Sequence, residues 1–302
     1  MAANPLLEPI QQRGVAIIDG GLGTELEARG HDLGDALWSA RLLRDVPEAI
    51  TAVHTDYLDA GVDCIVTSSY QASFDGFQRA GIERVEGEAL LRRSVELALE
   101  ARGDRSALVA ASVGPYGAAL ADGAEFTGDY DRDEDQLFEW HRERFAVLAS
   151  AGADLVACET VPSFAEARAL ARLIEATPDL WGWISFSCRD EQHISDGTPL
   201  RECAEHLDTI ARVAAVGINC TAPRHIRGLI ESAVGATSKP ILVYPNAGHT
   251  WHAASMQWVG AGDETDLAED ALQWCALGAS AIGGCCGTRP EHIRRIRERL
   301  SV

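Results

Sequence analysis

The feature that most limits the folds open to this chain is a recurrence of short apolar runs, each followed by a stretch with helical spacing. The runs fall at 15–18, 62–67, 107–113, 154–158, 181–186, 213–218, 240–244 and 279–282. Each is nearly continuous in apolar residues and lacks strict alternation, as strands covered on both faces do in parallel sheets. Between them, 49–58 and 88–101 carry apolar residues at three- and four-residue spacing. Ser163 with Glu166, and Thr288 with Glu291, fit capping boxes. Pro47, Pro223 and Pro290 stand where a first helical turn begins. Gly61, Gly152 and Gly278 each read as a glycine that ends a helix just before a strand. Strand–helix units repeated in series without a linker favour one closed (β/α)8 TIM barrel over residues 1–302, with an open doubly wound sheet as the alternative.

Charge narrows the partners. Asp and Glu number 46 against 26 Lys and Arg, a formal charge of −20, so the surface repels phosphate backbones and no nucleic-acid partner is expected. The N-terminal MAANPLLEPIQQRG has no basic region followed by an apolar one, and no later stretch is a membrane span, so neither export nor a membrane is expected. Eight cysteines without an export signal read as reduced thiols in the cytoplasm, not as a disulfide framework. Nothing in the sequence specifies an oligomer.

In a barrel of this kind the reactive groups lie at the C-terminal ends of the strands. Read in order, those ends include Asp19-Gly20-Gly21, Thr67-Ser68-Ser69-Tyr70, Gly114-Pro115-Tyr116, Cys158-Glu159-Thr160, Asn219-Cys220, Pro245-Asn246 and Gly283-Gly284-Cys285-Cys286-Gly287. Cys220 ends strand six while Cys285 and Cys286 end strand eight. These strands flank strand seven, so the thiols can converge at the mouth. Three thiolates form a soft site for Zn2+ that leaves a fourth position open. Adjacent cysteines on an extended strand point to opposite faces, so the backbone must bend there, and Gly283, Gly284 and Gly287 permit it. The competing reading is of buried thiols used as small apolar residues. The glycine frame and the matching strand end of Cys220 weigh against that here. Cys64, Cys158, Cys188, Cys203 and Cys275 read as structural. The segment 246–262 carries His249, Trp251, His252 and Trp258 and reads as a lid or a plain loop. Its two histidines lack a carboxylate partner for a second metal. Tyr70, Tyr116, Trp251 and Trp258 are candidates to face a cation.

These motifs together resemble the homocysteine S-methyltransferase family. The matching residues are Asp19 to Leu26, Thr67 to Ala72, Ser112 to Gly117, Cys158 to Thr160, Gly217 to Cys220 and Gly283 to Thr288, which span almost the whole chain. The resemblance implies a barrel with one catalytic zinc held by Cys220, Cys285 and Cys286. It also implies that Asp19 and Glu159 hold the amino group of homocysteine. Thr67 and the backbone of Gly20 and Gly21 lie near the substrate by the same resemblance, and Tyr70 and Asn219 complete the substrate set. From the residues alone, Asp19 reads equally as a turn residue and Glu159 as a helix cap.

Tyr70-Gln71, Ser112 to Tyr116 and Ala121 to Glu125 are similar to the S-methylmethionine-using branch. That likeness implies methyl transfer from a sulfonium donor, S-methylmethionine or S-adenosylmethionine, to the homocysteine thiol, forming methionine. No GxGxxG loop follows a strand, which favours the smaller donor. The alternatives are a betaine-dependent homocysteine methyltransferase, a module fed by a folate or cobalamin carrier, and a non-catalytic zinc-binding barrel. A structural zinc takes four protein ligands, and three stand in place here.

Overall fold

A computed structural model of the chain describes residues 3–33, 39–248, 250–252, 257–259 and 266–301. The strands that build the central sheet are β1 (Ala16–Ile17), β2 (Cys64–Val66), β3 (Leu108–Val113), β4 (Leu155–Val161), β5 (Trp181–Phe186), β6 (Val213–Asn219), β7 (Ile241–Tyr244) and β8 (Ala279–Ile282). All hydrogen-bonded neighbours are parallel, in the order β1-β8-β7-β6-β5-β4-β3-β2. The two ends of that order meet. Ile18 bridges Cys64 in parallel, Asp63 N donates to Ile17 O at 2.7 Å, and Asp19 N donates to Cys64 O at 3.1 Å. The sheet is therefore a closed (β/α)8 barrel.

The principal helices are α1 (Leu7–Arg13), α2 (Leu22–Ala28), α3 (Pro47–Asp59), α4 (Arg84–Arg102), α5 (Glu134–Ala149), α6 (Phe164–Glu175), α7 (Leu200–Asp208), α8 (Pro223–Ala233), α9 (Leu267–Leu277) and α10 (Pro290–Leu300). Successive strand residues face opposite ways, and here both directions are dry. Ala110, Ala157, Trp183, Ala215 and Leu242 fill the barrel interior together with Leu6. Their neighbours Val109, Val156, Ile184, Val216 and Val243 pack outward in the layer shared with the helices. This double burial explains why the apolar runs are continuous. Small alanines leave room inside for Trp183, which is fully buried.

The runs read from the sequence coincide with strands, but β4 and β6 continue into polar residues, Glu159-Thr160 (before Val161) and Asn219. There the ladder persists to the rim, where polar side chains are useful. Pro47, Pro223 and Pro290 open their helices as expected. The capping expectations need correction. Ser163 Oγ accepts from Glu166 N at 3.3 Å, yet the Glu166 carboxylate turns inward to Tyr116 N at 2.6 Å and His141 Nε2 at 2.7 Å. Arg289, not Thr288, stands at the N-cap position of α10, where its backbone N–H donates to His292 Nδ1 at 2.9 Å; the Thr288 hydroxyl donates to Cys285 O at 2.6 Å instead. No helix among the described residues is long and apolar enough to cross a membrane.

Gly61, Gly152 and Gly278 take φ of 91°, 96° and 122°, conformations costly for L side chains. At Gly152 an added Cβ meets only Leu99 Cδ1, at 3.7 Å, so the cost of a substitution there is conformational and not steric. Gly152→Ala is expected to lower stability by about 1–2 kcal/mol. A urea-midpoint measurement checks this, and an unchanged midpoint contradicts it.

Candidate active site

Cys220 follows β6, and Cys285 and Cys286 follow β8. Their sulfur atoms all lie within 4.8 Å of one another, with Cys220 Sγ 3.5 Å from Cys286 Sγ. A tetrahedral ion with metal–sulfur bonds of ~2.3 Å holds its sulfurs ~3.8 Å apart, so the three donors already stand at about the spacing such an ion requires. The backbone of the segment leaving β7 fixes all three. Cys220 N donates to Tyr244 O at 3.2 Å, Cys285 N to Pro245 O at 2.8 Å, and Ala247 N to Cys286 O at 2.9 Å. The bend expected between the adjacent thiols is a turn closed by Thr288 N on Cys285 O at 3.0 Å, with Gly287 at φ 81°. Cys220 itself sits at φ 48°, the left-handed region, without being glycine. Such a residue costs on the order of 1 kcal/mol and persists where surrounding bonds over-determine it. Thiols this close share protons. Hydrogen bonds from Cys220 and Cys286 hold the Cys285 thiol well below its ordinary range, while the contacts with Cys285 and Cys286 push Cys220 well above it.

Gly20 and Gly21 lie against this turn. A Cβ on Gly20 falls 2.8 Å from Thr288 Oγ1, and one on Gly21 falls 2.7 Å from Cys285 O. Only glycines let the end of β1 approach so closely.

Two carboxyls share the rim. Asp19 is buried and accepts from Val66 N at 2.8 Å, adding a side-chain rung to the seam between β1 and β2. Burial pushes its carboxyl well above the usual range; the Val66 bond opposes this and the charge of Glu159 adds to it. Glu159 is half-buried at the end of β4. Ser112 Oγ donates to one of its oxygens and Tyr244 OH to the other, the latter at 3.3 Å. Burial raises its carboxyl from 4.5 to about 7 against those hydrogen bonds. Among the described residues, neither carboxyl has a cationic partner within the structure.

The remaining expected residues divide. The Thr67 hydroxyl accepts from Ser112 N at 2.9 Å and bonds Ser69 Oγ at 2.8 Å, so it sets the end of β3. Asn219 is fully buried. Its Oδ1 accepts from Thr160 N at 2.8 Å and its Nδ2 donates to Thr160 Oγ1 at 2.7 Å. The same Nδ2 stands 3.9 Å from Cys285 Sγ. This double bond clamps Thr160 at φ 58°. The Tyr70 ring packs on Gly114, where a Cβ would lie 2.8 Å from it. Tyr116 packs away from the thiols, its ring 5.2 Å from Tyr130 and 5.1 Å from Trp140. Cys64, Cys158 and Cys203 are buried apart from the trio. His249 and the side chains of Trp251, His252 and Trp258 lie outside the described residues, and with them the lid and cation-framing expectations for 246–262. The backbone of Thr250–His252 pairs antiparallel with Gln257–Val259.

Sequence reasoning missed Ser112 and Tyr244 as partners of Glu159. Strand parity could have found Tyr244, since it shares the inward side of β7 with Leu242.

Fold and site together define the class: a (β/α)8 barrel with three thiols at metal-ligand spacing on the rim where such barrels carry their chemistry. Comparison with known proteins agrees. The homocysteine S-methyltransferase family profile matches residues 16–300. The chain is 46% identical to the homocysteine S-methyltransferase YbgG of Bacillus subtilis over 97% of this chain and 96% of that one. It is 45% identical to the homocysteine S-methyltransferase of Escherichia coli, over 98% of each. The crystal structure of the Escherichia coli homocysteine methyltransferase MmuM in its metallated form superimposes with a TM-score of 0.88 at 42% identity, covering 98% of this chain and 99% of that one. The chain belongs to the homocysteine S-methyltransferase family.

The Glu159 carboxyl has a consequence for stability. Between its unfolded value near 4.5 and its folded value of about 7, the folded chain holds a proton that the unfolded chain has released. Its contribution therefore falls as pH rises through that window. Glu159→Gln removes the ionisation. The variant is expected to gain stability over the wild type by on the order of 1–2 kcal/mol more at about pH 8 than at about pH 5. Urea midpoints at the two pH values read the difference, and an equal offset at both contradicts the assignment.

Proposed function

We propose that the protein transfers a methyl group from a sulfonium donor, S-methylmethionine first and S-adenosylmethionine second, to the thiol of L-homocysteine. Zn2+ held by Cys220, Cys285 and Cys286 is its cofactor. One domain, residues 1–302, carries the activity in the cytoplasm, where thiols stay reduced. The observation that carries the reading is the placement of three converging sulfurs beside two carboxyls without a cationic partner, all on one rim.

Cys220, Cys285 and Cys286 would hold the ion as three thiolates, which would leave it able to take the sulfur of the substrate. The zinc, when bound, supplies the positive charge that keeps the substrate thiol deprotonated at neutral pH. Asp19 and Glu159 take the ammonium of homocysteine, which provides the cation that both carboxyls lack and so draws them into the ionised form. Ser112 and Tyr244 fix the direction of Glu159, and Thr67 fixes Ser112. Asn219 acts through Thr160 and Cys285, and Gly20 and Gly21 let the end of β1 lie against the turn that carries Cys285 and Cys286. Attack on a sulfonium carbon needs no acid, because the leaving thioether departs neutral. The residues therefore have only to bind and align, so proximity dominates the acceleration. The anionic rim and the face of Tyr70 attract a cationic donor.

Purified under reducing conditions, the protein is expected to hold about one zinc per chain. Cys220→Ser, Cys285→Ser and Cys286→Ser each lower zinc content and nearly abolish methionine formation, while Cys64→Ser and Cys275→Ser keep the metal. Elemental analysis decides, and full zinc retention in all three rim variants removes the metal assignment.

The donor is tested by offering S-methylmethionine, S-adenosylmethionine, betaine and methyltetrahydrofolate separately with homocysteine. Turnover with the sulfonium donors is expected. Methionine formed from betaine or the folate alone overturns the donor, and none from any donor favours a non-catalytic zinc barrel.

A further inference from the structure

The loop after β3 carries a carboxyl that the arrangement above leaves unused. Glu125 lies in a single 3-10 turn, Ala124–Phe126, between the short helix Tyr116–Leu120 and α5. Only 7% of it is exposed, and its Oε2 is buried without a hydrogen-bond partner among the described residues. Burial pushes the carboxyl up to about 7, its own backbone N–H opposes the rise, and the nearby charge of Asp122 has the same sign. A buried carboxylate that meets no cation is costly, and the cost is relieved either by protonation or by a cationic ligand.

The loop places this group deliberately against the rim. A Cβ on Gly117 would lie 2.5 Å from Glu125 N, so the glycine admits the turn. Ser187 Oγ donates to Glu125 O at 3.0 Å and anchors it to the end of β5. Three residues earlier, Gly114 admits Tyr70 in the same way, with a Cβ there 2.3 Å from Tyr70 O. One loop thus holds both Glu125 and Tyr70. The Tyr70 hydroxyl in turn bonds Thr160 and feels the charges of Glu125, Cys220 and Glu159 together.

We propose that Glu125 binds the α-ammonium of an amino-acid sulfonium donor, while Asp19 and Glu159 take the ammonium of the acceptor. The inference rests on the sulfonium reading above and gives that donor its own anionic anchor. An S-methylmethionine molecule carries two positive charges separated by three carbons, roughly 5 Å at ordinary bond lengths. The Tyr70 hydroxyl feels the charges of both Glu125 and Cys220, and the donor is taken to lie along it with its sulfonium toward the thiols and its ammonium toward Glu125. Two separate carboxylate stations keep the two amino acids from exchanging places.

The test is Glu125→Gln, which keeps the shape and removes the charge, in the zinc-loaded protein. The KM for S-methylmethionine is expected to rise about tenfold to a hundredfold, the loss of one charge-assisted hydrogen bond. Zinc content, the KM for homocysteine and kcat at saturating donor stay at wild-type values. Trimethylsulfonium, which has the sulfonium but no ammonium, serves as a competitor and is no weaker against the variant than against the wild type. An unchanged KM for S-methylmethionine overturns the inference. A parallel rise in the KM for homocysteine, or loss of zinc, also overturns it, because it makes Glu125 a structural residue. Weaker competition by trimethylsulfonium in the variant assigns Glu125 to the sulfonium and overturns the ammonium assignment. A wild type that makes no methionine from S-methylmethionine fails the donor reading itself and takes this inference with it.

Discussion

The seam between β1 and β2 is the interaction on which the rest of the structure depends. A parallel sheet of this length is a barrel only if its first and last strands bond, and here that bond is made by few groups: the Ile18–Cys64 bridge, two backbone hydrogen bonds beside it, the Asp19 carboxylate on Val66 N and the Asp63 carboxylate on Ile17 N. Closure gathers the C-terminal ends of all the strands into one ring. Asp19 belongs to both levels, as a rung of the ladder and as a carboxyl facing the rim. The thiols at the ends of β6 and β8, 66 residues apart in sequence, meet across β7, while closure sets the Asp19 carboxyl of β1 in the same ring as Glu159 of β4.

At that ring the chain repeatedly departs from local comfort. Cys220 and Thr160 adopt left-handed backbone conformations without being glycine, and two rim carboxyls are buried or half-buried without a cation. Each departure is held by identifiable bonds: Asn219 clamps Thr160, Tyr244 O receives Cys220 N, and Ser112 and Tyr244 grip Glu159. Departures of this kind collect at functional sites, where the surrounding scaffold stabilises an arrangement that local preference disfavours.

Behind the ring lies a buried polar layer that holds the loops. Arg144 is almost fully buried on α5 and donates to Ala72 O at 3.1 Å and to Gly114 O, which ties the loops after β2 and β3 together. Its other contact is His141 Nδ1 at 3.3 Å, and His141 Nε2 meets Glu166 Oε1 at 2.7 Å. Glu166 then accepts from Tyr116 N and from the Tyr130 hydroxyl. This chain of charged and neutral groups satisfies loop carbonyls that the barrel cannot reach, and it fixes the two loops that carry Tyr70 and Glu125. Arg144 Nε is buried without a hydrogen-bond partner among the described residues, so the network is satisfied at its other nitrogens and not at that one.

The sequence by itself determined the strands, the proline-opened helix starts and the convergence of the three thiols. Continuous apolar runs encode burial on both faces, prolines 47, 223 and 290 encode first turns, and Gly287 between Cys286 and Thr288 encodes the bend that lets neighbouring thiols converge. These signals are local: each depends on residues within a few positions of one another, so a linear reading captures them. Only the tertiary structure decided which polar groups are paired. Ser112 and Tyr244 belong to Glu159, Thr160 belongs to Asn219, and Glu166 gives up its expected cap for His141, Tyr130 and the backbone of Tyr116. It alone leaves Glu125 Oε2 buried without a partner among the described residues. A hydrogen bond needs its donor and acceptor within about 3 Å, and for residues many tens of positions apart that distance is set by barrel closure and helix packing, which no local pattern records.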